Sequence, residues 1–278
     1  MRFRDYIQIT LAALVAAFII KFLVLDAIIV SSPSMESTLM VGDLILVNKL
    51  VNVREGSHER PLSSGIAFPH LPFAGNIERG DVIVFKFPGN RDEDQPANTV
   101  EYVKRCVATG GDTVEIRDGD LYINEHYTEL PERHRRPSFP QSFTDDRLFP
   151  KGINANLDYY GPVIVPKSGD VIHLDRHNVT EWEKLIREEG HSLSMTSGGI
   201  LIDGKRSDTY TVQRNYLFAL GDNFYNSSDS RFWGFLSENN VLGKASIIYW
   251  SVDKPSHQSG VQGLLSSIRW NRVGNFIR

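Results

Sequence analysis

The chain has 278 residues, 41% hydrophobic and 23% charged, an ordinary folded composition with room for one large domain or two modest ones. A net charge of −4 and a pI near 6.1 give no electrostatic footing for nucleic acid as a partner, and the basic clusters Arg133–Arg136 and Arg269–Arg278 are short. Cys106 is the single cysteine and the eight histidines show no HExxH spacing, which excludes an intramolecular disulfide and a cysteine-based metal site and leaves no metal or other cofactor expected.

Ile7–Val30 is the one strongly apolar stretch, broken only by Gln8, Thr10, Lys21 and Asp26. As a helix it would run about 36 Å, enough for a hydrocarbon core of about 30 Å. Lys21 and Asp26 sit toward its C-terminal end, where long side chains snorkel to the interface. Arg2 and Arg4 precede it and favour a cytoplasmic N-terminus. A cleaved secretory signal shares the charged start, but this stretch is longer than a usual signal core and has no clear small-x-small end. A buried core helix is the third reading, which Lys21 keeps open. The expected element is a retained transmembrane anchor.

Beyond it the chain reads as β-rich. Short β-branched or aromatic runs occur at Leu44–Val47, Asp81–Phe85, Val100–Val107, Thr113–Ile116, Leu121–Ile123, Ile200–Ile202, Tyr216–Leu220 and Ala245–Trp250. Gly, Asp, Asn and Pro bound nearly all of them. Asp118-Gly119 and Asp203-Gly204 are hairpin-turn signals. Asn178–Gly190 predicts a helix, with Asn178 and Glu181 as a capping pair, Trp182, Leu185 and Ile186 on one face, and Gly190 as the stop. The stretches 52–76 and 131–156 have loop composition, and no internal repeat points to a solenoid.

Three sites hold candidate chemistry, each ambiguous alone. Val30–Asp43 carries a serine cluster just after the predicted anchor, placed on a loop between helix and first strand; serine-rich turns after membrane helices are also common. In Glu101–Val107, strand alternation puts Tyr102, Lys104 and Cys106 on one face and Val103, Arg105 and Val107 on the other. If both faces are covered, at least one cation meets an apolar wall. A desolvated Lys104 loses its charge more readily and can serve as a general base. An edge strand with both cations in water is the plainer alternative. Leu220–Gly234 is dense in small polar residues and fits a lysine-holding loop, a calcium-type loop or a plain turn.

Taken together, Ser32-x-Ser34-Met35 with Gly42-Asp43, Tyr102-Val-Lys104-Arg105, and Gly221-Asp-Asn with Asn226-Ser-Ser-Asp-Ser-Arg231 occur in the order seen in the bacterial type I signal peptidases. The resemblance runs from the anchor to about Ala245, apart from an insertion, and the tail Ile268–Arg272 also looks familial. It implies a mainly β fold: a signal-peptidase-like, partly closed β domain with an α+β insertion, preceded by one N-terminal transmembrane helix. The expected division is 1–31 for tail and anchor, 32–116 with 213–278 for the catalytic core, and 117–212 for the insertion. Carried over by position, Ser34 is the nucleophile and Lys104 its general base. Ser32 offers a hydroxyl to the oxyanion, Ser227 orients the lysine amine, and Asp229 with Arg231 and Asp222 with Arg105 are structural ion pairs. The implied activity is removal of signal peptides from exported pre-proteins. The implied partners are those signal peptides and membrane lipid, with no nucleic acid. The implied place is the inner (cytoplasmic) membrane, single-pass, with the N-terminus cytoplasmic and the catalytic domain on the extracytoplasmic side.

Four departures from the family pattern stand out: Pro33 for a usual glycine, Ser37 for a usual proline, Ala108–Asp112 for a usual Gly-Leu-Pro-Gly-Asp, and Phe224-Tyr225 for a common Arg-Asp pair. None removes a dyad residue. A self-cleaving Ser–Lys repressor would need a DNA-binding module where the apolar segment stands. A silent scaffold relative would have lost Ser34, Lys104 or Ser227. A histidine-dependent hydrolase is disfavoured because the sequence has no GxSxG elbow.

Overall fold

The computed structural model describes residues 3–19, 25–51, 75–90, 100–131, 144–253 and 265–278. Arg2, Lys21, the cluster at 133–136 and most of the loop predicted over 52–76 lie outside the described residues, as do residues 132–143 of the second loop.

The chain opens with α1 (Phe3–Ile19), β1 (Leu25–Ile29), β2 (Asp43–Asn48), β3 (Val82–Lys86) and β4 (Glu101–Thr109). It continues through β5 (Thr113–Arg117), β6 (Asp120–Ile123), β7 (His126–Thr128), β8 (Tyr160–Ile164), β9 (Val171–His173), α2 (Val179–Glu188), β10 (Leu193–Thr196), β11 (Gly199–Ile202), β12 (Lys205–Arg206) and β13 (Thr209–Thr211). It ends with β14 (Tyr216–Leu220), α3 (Ser230–Trp233), β15 (Leu236–Ser237), β16 (Val241–Ser251) and β17 (Asn275–Phe276). The fold is mainly β. An eight-stranded antiparallel sheet runs β1-β2-β16-β3-β4-β14-β15, with β17 added on β16. The residues between β4 and β14 build three smaller sheets and α2.

Alternation along β3 shows how the middle of the large sheet is packed on both faces. Val82 and Val84 join Val30, Met35, Leu39 and Ile45 in one cluster, while Ile83 and Phe85 join Cys106, Leu217 and Trp233 in another. Both faces are therefore covered. A third cluster runs from Val107, Phe218 and Leu220 of the sheet into Val114, Leu121, Tyr160 and Ile186 of the intervening segment. The two regions thus share one core.

The sheet must curl. β1 and β4 are four strand spacings apart in the order, about 19 Å if flat, yet the turn that follows β1 touches β4. β16 supplies the bend, shifting register against β2 between Ala245 and Ile247 and between Ile248 and Trp250, and against β3 between Val241 and Gly243. Each bulge adds local twist. Gly243 lets β2 cross closely, because a side chain there would collide with the Asn48 carbonyl.

Two expectations change. The apolar stretch 7–30 is not one continuous helix: the described helix is the 17-residue α1, about 26 Å long, and Leu25–Ile29 is an edge strand paired along β2. Among the described residues no helix is long and apolar enough to cross a membrane. The β-branched pair Ile28-Ile29 favours a strand, and Asp26, assigned to the anchor, pairs with Lys49 at 3.0 Å. The serine loop therefore joins two strands and not a helix to a strand. Asn178, in turn, stands at the N-cap position of α2 but its side chain does not cap it: the amide accepts from Asp175 N and donates to His173 O. The rest of that prediction matches α2, with Leu185 and Ile186 buried and Gly190 at φ 93°. The turns at Asp118-Gly119 and Asp203-Gly204 both have the positive φ of tight hairpins.

The two ends of the sheet's sequence meet at Asp43, which is fully buried. Arg272 donates to both its carboxylate oxygens at 3.1 and 2.6 Å, Ser251 Oγ at 2.6 Å and Met40 N at 2.8 Å. Arg269 holds Ser251 Oγ at 2.8 Å and the Val41 carbonyl at 2.6 Å. Burial alone would raise the Asp43 pKa, but the hydrogen bonds from Arg272, Ser251 and Met40 outweigh it and hold the carboxyl below its usual range. Asp43→Asn is expected to lower unfolding stability by about 3 kcal/mol at pH 7, read from urea melts. A depressed folded pKa stabilises above the unfolded value of about 3.9 and ceases to do so as pH falls through the folded one. The gap between wild type and variant should accordingly close on the acid side of about pH 4; coincident melts at pH 7 would refute the assignment.

Candidate active site

The loop from β1 to β2 tightens into a single 3₁₀ turn, Pro33–Met35. Proline suits the opening position of such a turn, where its missing N–H costs nothing and its φ is already right. Pro33 is thus accommodated by the turn, with its carbonyl accepting from Glu36 N at 3.0 Å and Asn223 Nδ2 at 3.1 Å. Ser37 sits at φ 105°, a conformation closed to the proline usual in the resemblance.

The turn points Ser34 at β4. Lys104 Nζ donates to Ser34 Oγ at 2.6 Å and to the Val103 carbonyl at 3.3 Å. Ser32 Oγ lies 3.2 Å from Ser34 Oγ. Tyr102, on the same face of β4, places its ring centroid 5.3 Å from the ammonium. Ser34 is 8% and Lys104 3% exposed. Burial pushes the Lys104 pKa down to about 8, against the pull of Asp229 and Asp222 and assisted by Arg231. With a pKa of about 8, roughly a tenth of Lys104 is neutral at pH 7, against well under one in a thousand for an unperturbed lysine, and the free lone pair of that neutral fraction can accept a hydroxyl proton.

Arg105, one residue on, points to the other face and is also buried. It meets Asp222 through two bonds of 2.8 and 2.7 Å, and reaches the Gly80 carbonyl at 2.5 Å and Thr38 Oγ1 at 3.2 Å. Arg231 makes a second forked pair with Asp229, at 2.9 and 2.8 Å, with both side chains wholly buried. Phe224 takes part: its ring lies 4.0 Å under the Arg231 guanidinium and its carbonyl accepts from Nη2 at 2.5 Å. Asp229 also accepts from Gly221 N at 3.2 Å.

The structure therefore gathers Ser34, Lys104 and Ser32 in direct contact and sets the two ion pairs around them. Ser227 is different. It packs against Gly221, beside the Ser34 carbonyl, but its Oγ is buried without a hydrogen-bond partner among the described residues. Asn223 is a contributor that sequence reasoning passed over: its backbone N–H donates to the Ser34 carbonyl at 3.1 Å while its side chain holds Pro33. The Gly-Asp-Asn run was the available signal. A cavity of about 270 Å³ opens between residues 28–35 and 100–104, with Asn226 and Ser228 also lining it.

The family described as signal peptidase, peptidase S26, matches residues 3–250. A signal peptidase I of Aquifex aeolicus is 30% identical over 275 residues, covering 96% of this chain and 91% of its own. One from Buchnera aphidicola subsp. Schizaphis graminum is 29% identical over 267 residues, covering 93% and 77%. One from Helicobacter pylori is 24% identical over 259 residues, covering 86% and 79%.

Gly221 is the tightest point of the site. An added Cβ would stand 2.5 Å from the Ser34 carbonyl oxygen and closer still to the Ser227 hydroxyl. The carbonyl belongs to the backbone and cannot rotate away. Gly221→Ala is expected to fold but lose about 100-fold or more in peptidase activity, since displacements of about 1 Å have that effect on positioned groups. Full activity in the alanine variant would show that the Ser34 turn is not held where the structure has it.

Proposed function

The chain belongs to the signal peptidase family, peptidase S26, and we propose that it removes signal peptides from exported pre-proteins with Ser34 as nucleophile and Lys104 as general base. The enzyme class is signal peptidase I. The observation that carries the residue assignment is the 2.6 Å contact from Lys104 Nζ to Ser34 Oγ inside a buried site.

Each step follows from that contact. A serine hydroxyl is a poor nucleophile until a base takes its proton, and a neutral lysine does this without histidine. Ser34 Oγ then attacks the scissile carbonyl as its proton passes to Lys104. The oxyanion forms beside the Ser34 N–H and the Ser32 hydroxyl, positioned donors of the kind that act on developing charge. Collapse of the tetrahedral adduct expels the new amino terminus, protonated by Lys104. Water, deprotonated by the same lysine, releases the acyl group from Ser34. Ser227 adjusts the lysine amine once substrate is present, and the Arg105–Asp222 and Arg231–Asp229 pairs keep the walls in register.

The peptide lies extended in the cavity between residues 28–35 and 100–104, whose lining residues Ile28, Met35 and Val103 are apolar. Such a small cavity suits small side chains. The apolar N-terminal sequence holds the enzyme at the inner membrane, with Arg2 and Arg4 on the cytoplasmic side and the β domain on the other.

A synthetic peptide spanning an Ala-x-Ala site, incubated with the full chain in detergent, tests the assignment. Wild type should cut after the second alanine, while Ser34→Ala and Lys104→Ala should show no cleavage above background. An inactive wild type or an active single variant would sink it. Because the base must be neutral, kcat/KM should rise about tenfold per pH unit on the acid side of about pH 8 and level off above. A flat profile from pH 6 to 9 would exclude Lys104 as the titrating base.

A further inference from the structure

Helix α2 belongs to the segment between β4 and β14, yet one of its side chains leaves that segment. Lys184 Nζ donates to the Gly89 carbonyl at 2.6 Å and the Trp233 carbonyl at 3.3 Å, with the Asn90 carbonyl at 3.5 Å. All three acceptors lie in the parts of the chain that form or flank the large sheet. Gly89 is on the chain leaving β3, and Trp233 ends α3, where carbonyls lack helical partners. An ammonium carries three donors, and here one cation bridges two otherwise separate pieces of backbone.

Both pieces lead to the cleft. Three contacts carry the connection. Phe87, two residues before Gly89, stacks on Tyr102 with centroids 4.4 Å apart. Its N–H donates at 2.8 Å to the carbonyl of Val100, where the cavity's β4 wall begins. The Trp233 ring meets Phe87 edge-on at 6.3 Å. Tyr102 lines the cavity and stands beside the Lys104 ammonium. On the same helix, Trp182 stacks on Phe235 at 5.9 Å, so α2 is seated against the residues that follow α3. A second cavity of about 520 Å³, walled in part by Asn90, shares Asn226 and Ser228 with the first.

We propose that Lys184 is a positioning residue for substrate: it ties the start of the β3–β4 connection to the end of α3 and thereby fixes the wall against which the peptide residues before the scissile bond lie. The proposal rests on reading the Ser34–Lys104 cleft as the peptidase site. The hydrogen bonds of the dyad itself, from Lys104 to Ser34 Oγ and the Val103 carbonyl and from Asn223 N to the Ser34 carbonyl, do not involve Lys184. Its loss therefore acts on binding and not on proton transfer.

The test uses the full chain in detergent with the Ala-x-Ala peptide. Lys184→Met keeps the apolar stem and removes the donors; Lys184→Arg restores donors. The methionine variant should raise KM about fivefold or more with kcat within about twofold and the pH profile unmoved, and the arginine variant should recover most of the loss. An unchanged KM, or a loss confined to kcat, overturns the proposal while leaving the dyad intact. A urea midpoint that falls while KM stays constant also overturns it, since that is what a purely structural lysine would give. If wild type itself does not cleave the peptide, the peptidase reading fails first.

Discussion

The constraint on which the rest of this structure depends is the burial of a lysine. Taking an ammonium out of water costs several kcal/mol even after a protein relaxes around it, and Lys104 has no carboxylate in direct contact among the described residues. A carboxylate there would have lowered the cost and kept the amine protonated. What it receives instead is a serine hydroxyl, a peptide carbonyl and the face of Tyr102. These partners hold an amine without fixing its charge. Asp222 and Asp229 influence it only at a distance, and each is already engaged by an arginine.

That division of charge explains the crowding around the site. Arg105 and Arg231 each face a carboxylate through two parallel bonds, the arrangement that makes buried arginine pairs tolerable. Both carboxylates come from the one loop between β14 and α3, which also supplies Asn223 to the Ser34 turn. Asp43 repeats the pattern at the start of β2, with Arg272 as its fork. These three buried carboxylates thus brace backbone segments through arginine, and Lys104 has no ion-pair partner among the described residues.

Much of this was legible in the sequence. The strand runs at 44–47 and 216–220 lie inside β2 and β14, and all of the run at 81–85 except Asp81 lies in β3, because they are β-branched or aromatic and bounded by turn residues. The alternation of Lys104 and Arg105 to opposite faces follows from the pleat alone. What was not legible has physical causes. β1 hides in an apolar stretch whose composition suits a membrane helix equally well, and only its pairing with β2 distinguishes the two. The edge strands β12, β15 and β17 have two residues each, too few for any period to show. Asn178 carries the residue type of a cap but spends its amide on the preceding turn. The bonds of Lys184 and Arg272 reach across 95 and 229 positions, and no local pattern records such partners.

The last of these distances also has a bearing on time. Residues are made in order, and Asp43 leaves the ribosome long before Arg269 and Arg272 exist. Until they arrive, the Asp43 carboxylate lacks its fork, and the far end of the loop that carries Ser34 lacks the bonds from Arg269 to the Val41 carbonyl and from Arg272 to the Thr38 carbonyl. Ser34 is therefore among the first parts of the chain to be synthesised, and the bonds that complete the far end of its loop are among the last to form.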